Sequence, residues 1–281
     1  MRPMSARTIL ITGCSSGIGF AAATALRAQG WTVFAACRQE ADCIRLREMG
    51  FASPRIDYAD AGSIATGLSE VLEATGGTLD ALFNNGAYAL PGATEDIPTQ
   101  ALREVFEAGV FGWHELTRRV IPVMRAQGHG RIVNHSSVLG LVVAPWRGPY
   151  NATKFAIEAL TSTLRIEMRD TPIHVITLNT GPIPTRIRAN SIPHFERWVD
   201  WKASPRAEQY RKRLIPRLYD SSGKADPFQL PPVAVTEKLL HALEAPTPAP
   251  RYHVTGATVL MHALRRGLPT RWLEALIAQD R

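Results

Sequence analysis

Thr8-Ile-Leu-Ile-Thr12-Gly13-Cys14-Ser15-Ser16-Gly17-Ile18-Gly19 decides the fold of this chain. Its first five residues form a short apolar run that ends in glycine, the composition of a parallel strand buried on both faces. From Ile18 to Gln29 the pattern turns helical and Ala-rich, until Gly30 stops it. Glycines between a strand and a helix let the backbone turn sharply and approach a pyrophosphate, to which the helix N-terminus offers free N–H groups. A Gly-rich loop alone is weak evidence. The strand–loop–helix context is what a dinucleotide fingerprint requires.

Working outward, the same alternation repeats. Trp31–Ala36 reads as a second strand, residues around Ala52–Ile56 as a third, Leu79–Phe83 as a fourth, Arg131–His135 as a fifth and His174–Leu178 as a sixth. Between them lie a polar helix, a helix through Ser63–Thr75 capped by Asp60, and two long helices at Leu102–Gln127 and Asn151–Arg169. Strands alternating with helices of ten residues or more imply right-handed crossovers. The expected fold is α/β: a Rossmann-type, doubly wound parallel sheet in three layers, forming a single domain over 1–281. Regularity falls away from Pro182 to Pro232, which reads as a substrate lid or insertion, so that 7–185 carries the motifs and 186–281 the lid and C-terminal elements. A helix at Val233–Leu243 and a final strand at Tyr252–Thr255 follow. The tail, Leu268–Gln279, is amphipathic, with Trp272, Leu273, Leu276 and Ile277 on one side, and reads as core or dimer packing.

The chain has 281 residues, 45% hydrophobic and 20% charged, ordinary for a globular enzyme and wrong for disorder. No stretch approaches the ~20 apolar residues that span a bilayer, and the opening residues do not read as a secretory leader. Three cysteines, Cys14, Cys37 and Cys43, are few and lack a metal-binding spacing, which suits a reducing cytoplasm. No metal is expected. The formal net charge is +7. Its densest basic run, Arg206–Arg217, lacks the interleaved aromatics of an RNA-binding surface and reads as a solvated helix face, so no nucleic-acid partner is expected.

The chemistry is carried by Ser137, Tyr150 and Lys154. Residues i and i+4 share a helix face, so Lys154 can stand beside Tyr150. A nearby cation lowers a phenol's pKa, and a helix N-terminus begun by Pro149 would act in the same direction. Tyr-x-x-x-Lys is common by itself, and only its company makes it informative.

That company resembles the classical short-chain dehydrogenase/reductase family over about Arg7–Thr185, and its style is similar to the hydroxysteroid and retinol dehydrogenase branch. The loop Gly13-Cys14-Ser15-Ser16-Gly17-Ile18-Gly19 has the family's glycine spacing. Asn84-Asn85-Gly86-Ala87 is similar to its Asn-Asn-Ala-Gly, and Gly181-Pro182-Ile183 with Thr185 to its Pro-Gly-x-x-x-Thr. The resemblance implies an oxidoreductase that interconverts an alcohol and its ketone or aldehyde by hydride transfer. Tyr150 would be the acid/base, Lys154 would lower its pKa and hold the nicotinamide ribose, and Ser137 would steady the substrate oxygen. Gly13, Ser15, Ser16, Gly17, Ile18, Gly19, Arg38, Asp57, Asn84, Gly86, Gly181, Ile183 and Thr185 would join Tyr150 and Lys154 around the cofactor. Cys37 stands where an NAD-type carboxylate would bind the ribose, and Arg38 follows with a fork-shaped cation for a 2′-phosphate. NADP is therefore favoured, with NAD as the alternative. A lipophilic substrate and a homodimer or homotetramer paired through the two long helices are also implied.

One member of the expected set is missing. Relatives carry asparagine in the long helix before strand five, where it helps hold a relay water next to the lysine. This chain has Gly109-Val110-Phe111-Gly112. The leading expectation is a working enzyme that Gly109→Asn would speed up. The alternative is a nucleotide-binding module with reduced or lost turnover. His114 and His135 match no catalytic position and read as surface or packed histidines.

Overall fold

The computed structural model describes residues 7–278. Six strands form one sheet: β1 (Thr8–Thr12), β2 (Thr32–Ala36), β3 (Ala81–Asn84), β4 (Gly130–Ser137), β5 (Ile173–Thr180) and β6 (Arg251–His253). Their order is β2-β1-β3-β4-β5-β6 and every pairing is parallel. The order reverses direction at β1/β3, and all strands point the same way. Their C-terminal ends therefore line one edge, where Thr12, Asn84, Ser137 and Thr180 fall.

Alternate strand residues serve opposite layers, as the two-residue strand period requires. Ile9, Ile11 and Phe83 pack with α1 (Gly17–Ala28), α2 (Glu40–Glu48) and α10 (Pro232–Glu244) through Ala22, Leu26, Leu46, Val235 and Leu239. Leu10, Leu82 and Ile132 pack with α3 (Ala61–Thr75), α5 (Gly112–Gln127) and α6 (Gly148–Glu167) through Ile64, Leu116 and Ile157. Asp60 caps α3 as expected, accepting from the backbone N–H of Gly62 and Ser63.

The structure departs from the sequence reading in four places. The strand expected at Ala52–Ile56 shrinks to two isolated bridges, Phe34–Ala52 and Cys37–Arg55, beside β2. Pro54 lies between them and has no N–H to give a continuous ladder. The long helix starts earlier, as α4 (Thr99–Phe106), and is interrupted by a π turn at Glu107–Phe111 before α5. At its exit a Cβ on Gly112 would lie 2.2 Å from the Tyr58 carbonyl oxygen, so only glycine lets α5 come this close. Pro149 is the second residue of α6, after Gly148. The tail helix, α12 (Thr270–Ala278), buries Leu273 but leaves Trp272 60% and Leu276 43% exposed, so core packing does not account for its apolar side; Gln279 lies outside the described residues.

The segment after Thr185 is helical. It holds α7 (Ile187–Trp198), two one-turn helices, α8 (Ala207–Gln209) and α9 (Ile215–Leu218), joined by a π turn, and later α11 (Gly256–Gly267). Phe195, Tyr210, Leu214 and Leu218 make a separate small core with Leu90, Ala93, Ala101 and Val105. Within the basic run, Tyr210 and Leu214 point into this core while Arg206, Arg211, Lys212 and Arg213 are exposed, so one face of the run is solvated.

Candidate active site

The Gly-rich loop crosses the C-terminal edge of the sheet. Gly13 (φ +69) and Gly17 (φ +59) occupy left-handed backbone where a side chain is strained. A Cβ on Gly19 would lie 2.4 Å from the Gly13 carbonyl oxygen. Ser16, the residue before α1, makes no side-chain cap, so the first N–H groups of the helix remain open at the groove. Thr185 closes the loop from the far side, with its methyl 3.2 Å from where a Gly17 Cβ would be. Gly181 sits against Thr255, and Ile183 packs beside the first core.

One of the expected cofactor residues, Asn84, is engaged inside the protein. The Asn84 side chain is fully buried, accepting from the Tyr58 hydroxyl at 2.8 Å and donating to Thr117 Oγ1 and Asn134 Oδ1, both at 2.9 Å. Every polar atom of its amide is engaged inside the protein, so the side chain does not reach the groove. Asn85 takes the position beside the loop, donating to the Thr12 carbonyl at 2.9 Å. Asp57 turns back on its own chain and accepts from Ala59 N–H at 3.1 Å, an Asx turn.

Ser137 ends β4, Tyr150 lies in the first turn of α6 and Lys154 one turn further along. The three thus come from one strand–helix unit. Ser137 Oγ accepts from Leu139 N–H at 3.1 Å, which fixes the hydroxyl. Ser136, its neighbour, faces the other way and packs against Gly140. Lys154 Nζ donates to the His135 carbonyl at 2.7 Å, 4.5 Å above the Trp113 ring and 5.5 Å from the centre of the Tyr150 ring. Burial pulls Lys154 down to about 7, and Glu158, one turn on, opposes the fall. Burial also pushes the Tyr150 phenol up, against the downward pull of the Ser137 hydroxyl and the Arg147 guanidinium. Low dielectric thus favours the neutral phenol, the form that can donate a proton.

The model of the short-chain dehydrogenase family matches residues 7–195. The chain belongs to the short-chain dehydrogenase family. It is 36% identical over 271 residues to the uncharacterized oxidoreductase YbbO of Escherichia coli, covering 96% of this chain and 94% of that one. It is 27% identical to the NADPH-dependent 3-dehydrocapnine reductase of Ornithobacterium rhinotracheale, covering 98% and 97%. A crystal structure of a short-chain dehydrogenase/reductase from Burkholderia phymatum in complex with NAD superposes with a TM-score of 0.76 at 27% identity, covering 95% of this chain and 94% of that one. This short-chain dehydrogenase is therefore an oxidoreductase of alcohol and carbonyl groups that uses a nicotinamide dinucleotide. The cradle fits that cofactor: left-handed glycines, an uncapped helix start and a loop wall of glycine backbone leave room for a pyrophosphate.

Around the strand-two end the side chains divide sharply. Cys37 is fully buried and burial pushes its thiol up to about 12, so it is a core residue and no ribose ligand. Arg38 is exposed, and Arg55 Nε donates to its carbonyl at 3.2 Å. Arg45, which sequence reading missed, reaches from α2 to the Ser15 carbonyl at 2.7 Å. Asp42, on the same helix, pairs with Arg45 at 3.1 Å.

Gly109 lies buried in the π turn, and its missing Cβ would stand 3.1 Å from Thr153 Cγ2 on α6. An asparagine there needs Thr153 to give by a few tenths of an ångström, so any gain in rate from Gly109→Asn depends on that fit. His135 is the other residue undervalued by sequence. Its ring contacts Asn85 Oδ1 at 2.9 Å and Thr180 Oγ1 at 3.0 Å, and burial, aided by Lys154, takes it down to about 3. It is a neutral strut beneath the lysine. The signal was its position in β4, two residues before Ser137. His114 is exposed.

Proposed function

We propose that this short-chain dehydrogenase is an NADP(H)-preferring enzyme that interconverts a carbonyl compound with an apolar body and its alcohol, with Tyr150 as the acid/base. The observation that carries the reading is the convergence of Ser137, Tyr150 and Lys154 in one strand–helix unit at the edge that holds the Gly-rich loop. In reduction Tyr150 gives its proton to the carbonyl oxygen, and in oxidation it takes one from the hydroxyl. Ser137 donates to the same oxygen and stabilises the charge that develops there. Lys154, held by the His135 carbonyl and Trp113, orients the ribose and supplies the next proton for Tyr150. The bound nicotinamide supplies or accepts the hydride.

Arg38 favours NADP, with Arg55 adding to the positive field, while Arg45 is already paired with Asp42 at 3.1 Å. The apolar body is supported by the partly buried Trp146 and Trp198 beside the lid core. Exposed Leu102, Phe111, Leu160 and Ile166 on α4, the π turn and α6 support pairing into a homodimer or homotetramer. Three buried free thiols suit a reducing cytoplasm. Binding of NADPH against NADH, followed by a carbonyl screen with the preferred one, tests the reading. Equal affinity for the two nucleotides removes the NADP preference. Nucleotide binding without turnover across the screen favours a module that has lost its chemistry at Gly109.

A further inference from the structure

Ser137 comes from a strand, Tyr150 and Lys154 from a helix, so their mutual geometry depends on what ties β4 to α6. At this end the tie is a cluster drawn from three elements. Asn179, in β5 and fully buried, donates through its amide nitrogen to the Ser137 carbonyl at 3.2 Å and to Glu158 Oε1 at 2.6 Å. Glu158 lies on α6 one turn beyond Lys154 and is buried, with 9% of its surface exposed. Arg251, the first residue of β6, pairs with Glu158 Oε2 at 2.6 Å and donates to Asn179 Oδ1 at 3.1 Å. A continuous set of contacts thus runs from the Ser137 backbone to the helix of Tyr150, and a guanidinium from the C-terminal part closes it. Gly140 lays the turn after Ser137 on the same stretch of α6. A Cβ there would lie 3.0 Å from Glu158 Cγ and 3.1 Å from the Lys154 carbonyl oxygen.

We propose that Glu158, with Asn179 and Arg251, is a positioning residue that sets the place of Ser137 relative to Tyr150 and keeps a negative charge one helical turn from Lys154. This rests on the reading of Tyr150 as the acid/base. A buried ion pair often gains nothing over apolar side chains of the same volume, so stability alone does not account for a carboxylate here. Direction does. Its two oxygens hold two different partners, Asn179 and Arg251, at fixed angles that an apolar side chain cannot impose. Charge is the second part. Residues four apart on a helix have Cβ atoms about 5–6 Å apart, close enough for the carboxylate to favour the Lys154 cation. Lys154 is otherwise surrounded by the His135 carbonyl and ring from β4, the Trp113 ring from α5 and Tyr150 on its own helix. Glu158 in turn is faced by Arg165 on α6, Arg251 and His253 on β6 and His262 on α11. The cluster therefore links the C-terminal strand to the strand–helix unit at the sheet edge.

The test compares the full-length parent with Glu158→Gln, which keeps the shape and loses the charge, and with Asn179→Ala, which keeps the ion pair and cuts the tie to Ser137. In reduction of 4-nitrobenzaldehyde by NADPH, both are expected to lose about 10–100-fold in kcat, the scale of a misplaced catalytic group, with NADPH affinity within about twofold of the parent. The alkaline limb of kcat is expected to move down by about one pH unit in Glu158→Gln, because the charge favouring the Lys154 cation is gone, and to stay in place in Asn179→Ala. A readout that needs no turnover is amide exchange in the NADP complex. Exchange over Val138–Leu141 is expected to quicken by about tenfold in Asn179→Ala while β1 and α1 keep the parent's rates. Parent kcat, limb and exchange in both variants overturn the assignment. So does a loss of kcat accompanied by faster exchange throughout the chain, which is loss of fold. Tyr150→Phe separates the two readings. If it is inactive while Glu158→Gln and Asn179→Ala match the parent, only the positioning cluster fails; if Tyr150→Phe stays active, the reading beneath it fails.

Discussion

The sheet edge that carries Ser137, Tyr150 and Lys154 and the helical segment after Thr185, the proposed lid, are held in different ways. Beneath the edge runs a neutral, buried chain of hydrogen bonds: Thr12 to Tyr58 at 2.6 Å, Tyr58 to Asn84, Asn84 to Asn134, and Asn134 to Thr161 at 2.9 Å. The lid instead pairs through exposed charges such as Arg197 with Glu104 at 3.4 Å, where the arginine is 60% exposed, and through a small apolar core. Buried neutral networks lose heavily when one member goes, because its partners are left unsatisfied. Exposed pairs are screened by salt and cost little to break. The proposed catalytic geometry is thus placed on the side of buried neutral bonds and the proposed substrate lid on the side of exposed pairs.

The sharpest way to break this division is at its chemical centre. Tyr150→Phe is expected to cut turnover by about 10²–10⁴-fold, the range for a general acid, with nucleotide affinity retained. Residual activity near the parent in steady-state assays would move the proton donor into the lid. Next in size, Asn84→Ala is expected to destabilise the fold by about 3 kcal/mol in denaturant unfolding, since Tyr58, Thr117 and Asn134 each lose a partner. A cost below about 1 kcal/mol would make the two regions equivalent.

Lys154 gives the edge a pH signature. Its folded value is about 7 against 10.5 when unfolded, so the unfolded chain binds more protons in between. Stability should therefore rise from pH 7 to pH 9 by up to about 1.4 kcal/mol per pH unit from this group. Above pH 9 the sign reverses for Cys37, whose folded thiol keeps its proton to about 12. Unfolding followed across pH 7–9 in the parent and in Lys154→Met checks the slope, which the variant should lose.

Gly109→Asn probes the seam between the π turn and α6. The 3.1 Å approach to Thr153 predicts a loss of about 1–2 kcal/mol from overpacking. Thr153→Ser removes the crowding methyl and keeps the hydroxyl that donates to the Tyr150 carbonyl at 2.9 Å, so the double variant should regain stability in the same melts. Smallest of all, Arg197→Ala on the lid should cost less than about 1 kcal/mol and lose its effect at high salt.

The alternation from β1 to β5, the three-layer sheet and the roles of Gly13, Gly17 and Gly19 were legible in the chain, because period, glycine placement and strand–helix order are local properties. So was the Ser137–Tyr150–Lys154 unit, since a strand end and one helix turn bring those residues together without help from elsewhere. The strand lost around Pro54 was legible in principle, for proline cannot donate to a ladder. The inward turn of Asn84 and the strut made by His135 depend on partners dozens of residues away: Thr117, Asn134 and Thr180. Likewise the solvent-facing apolar side of α12, the fit of Gly109 against Thr153, and the meeting of Arg188 and Arg217 at Asp226 exist only once the helices have packed. Sequence by itself determined which backbone forms and which reaction the edge can perform. Tertiary packing decided which polar atoms are already satisfied inside the protein, because satisfaction is a property of neighbours in space.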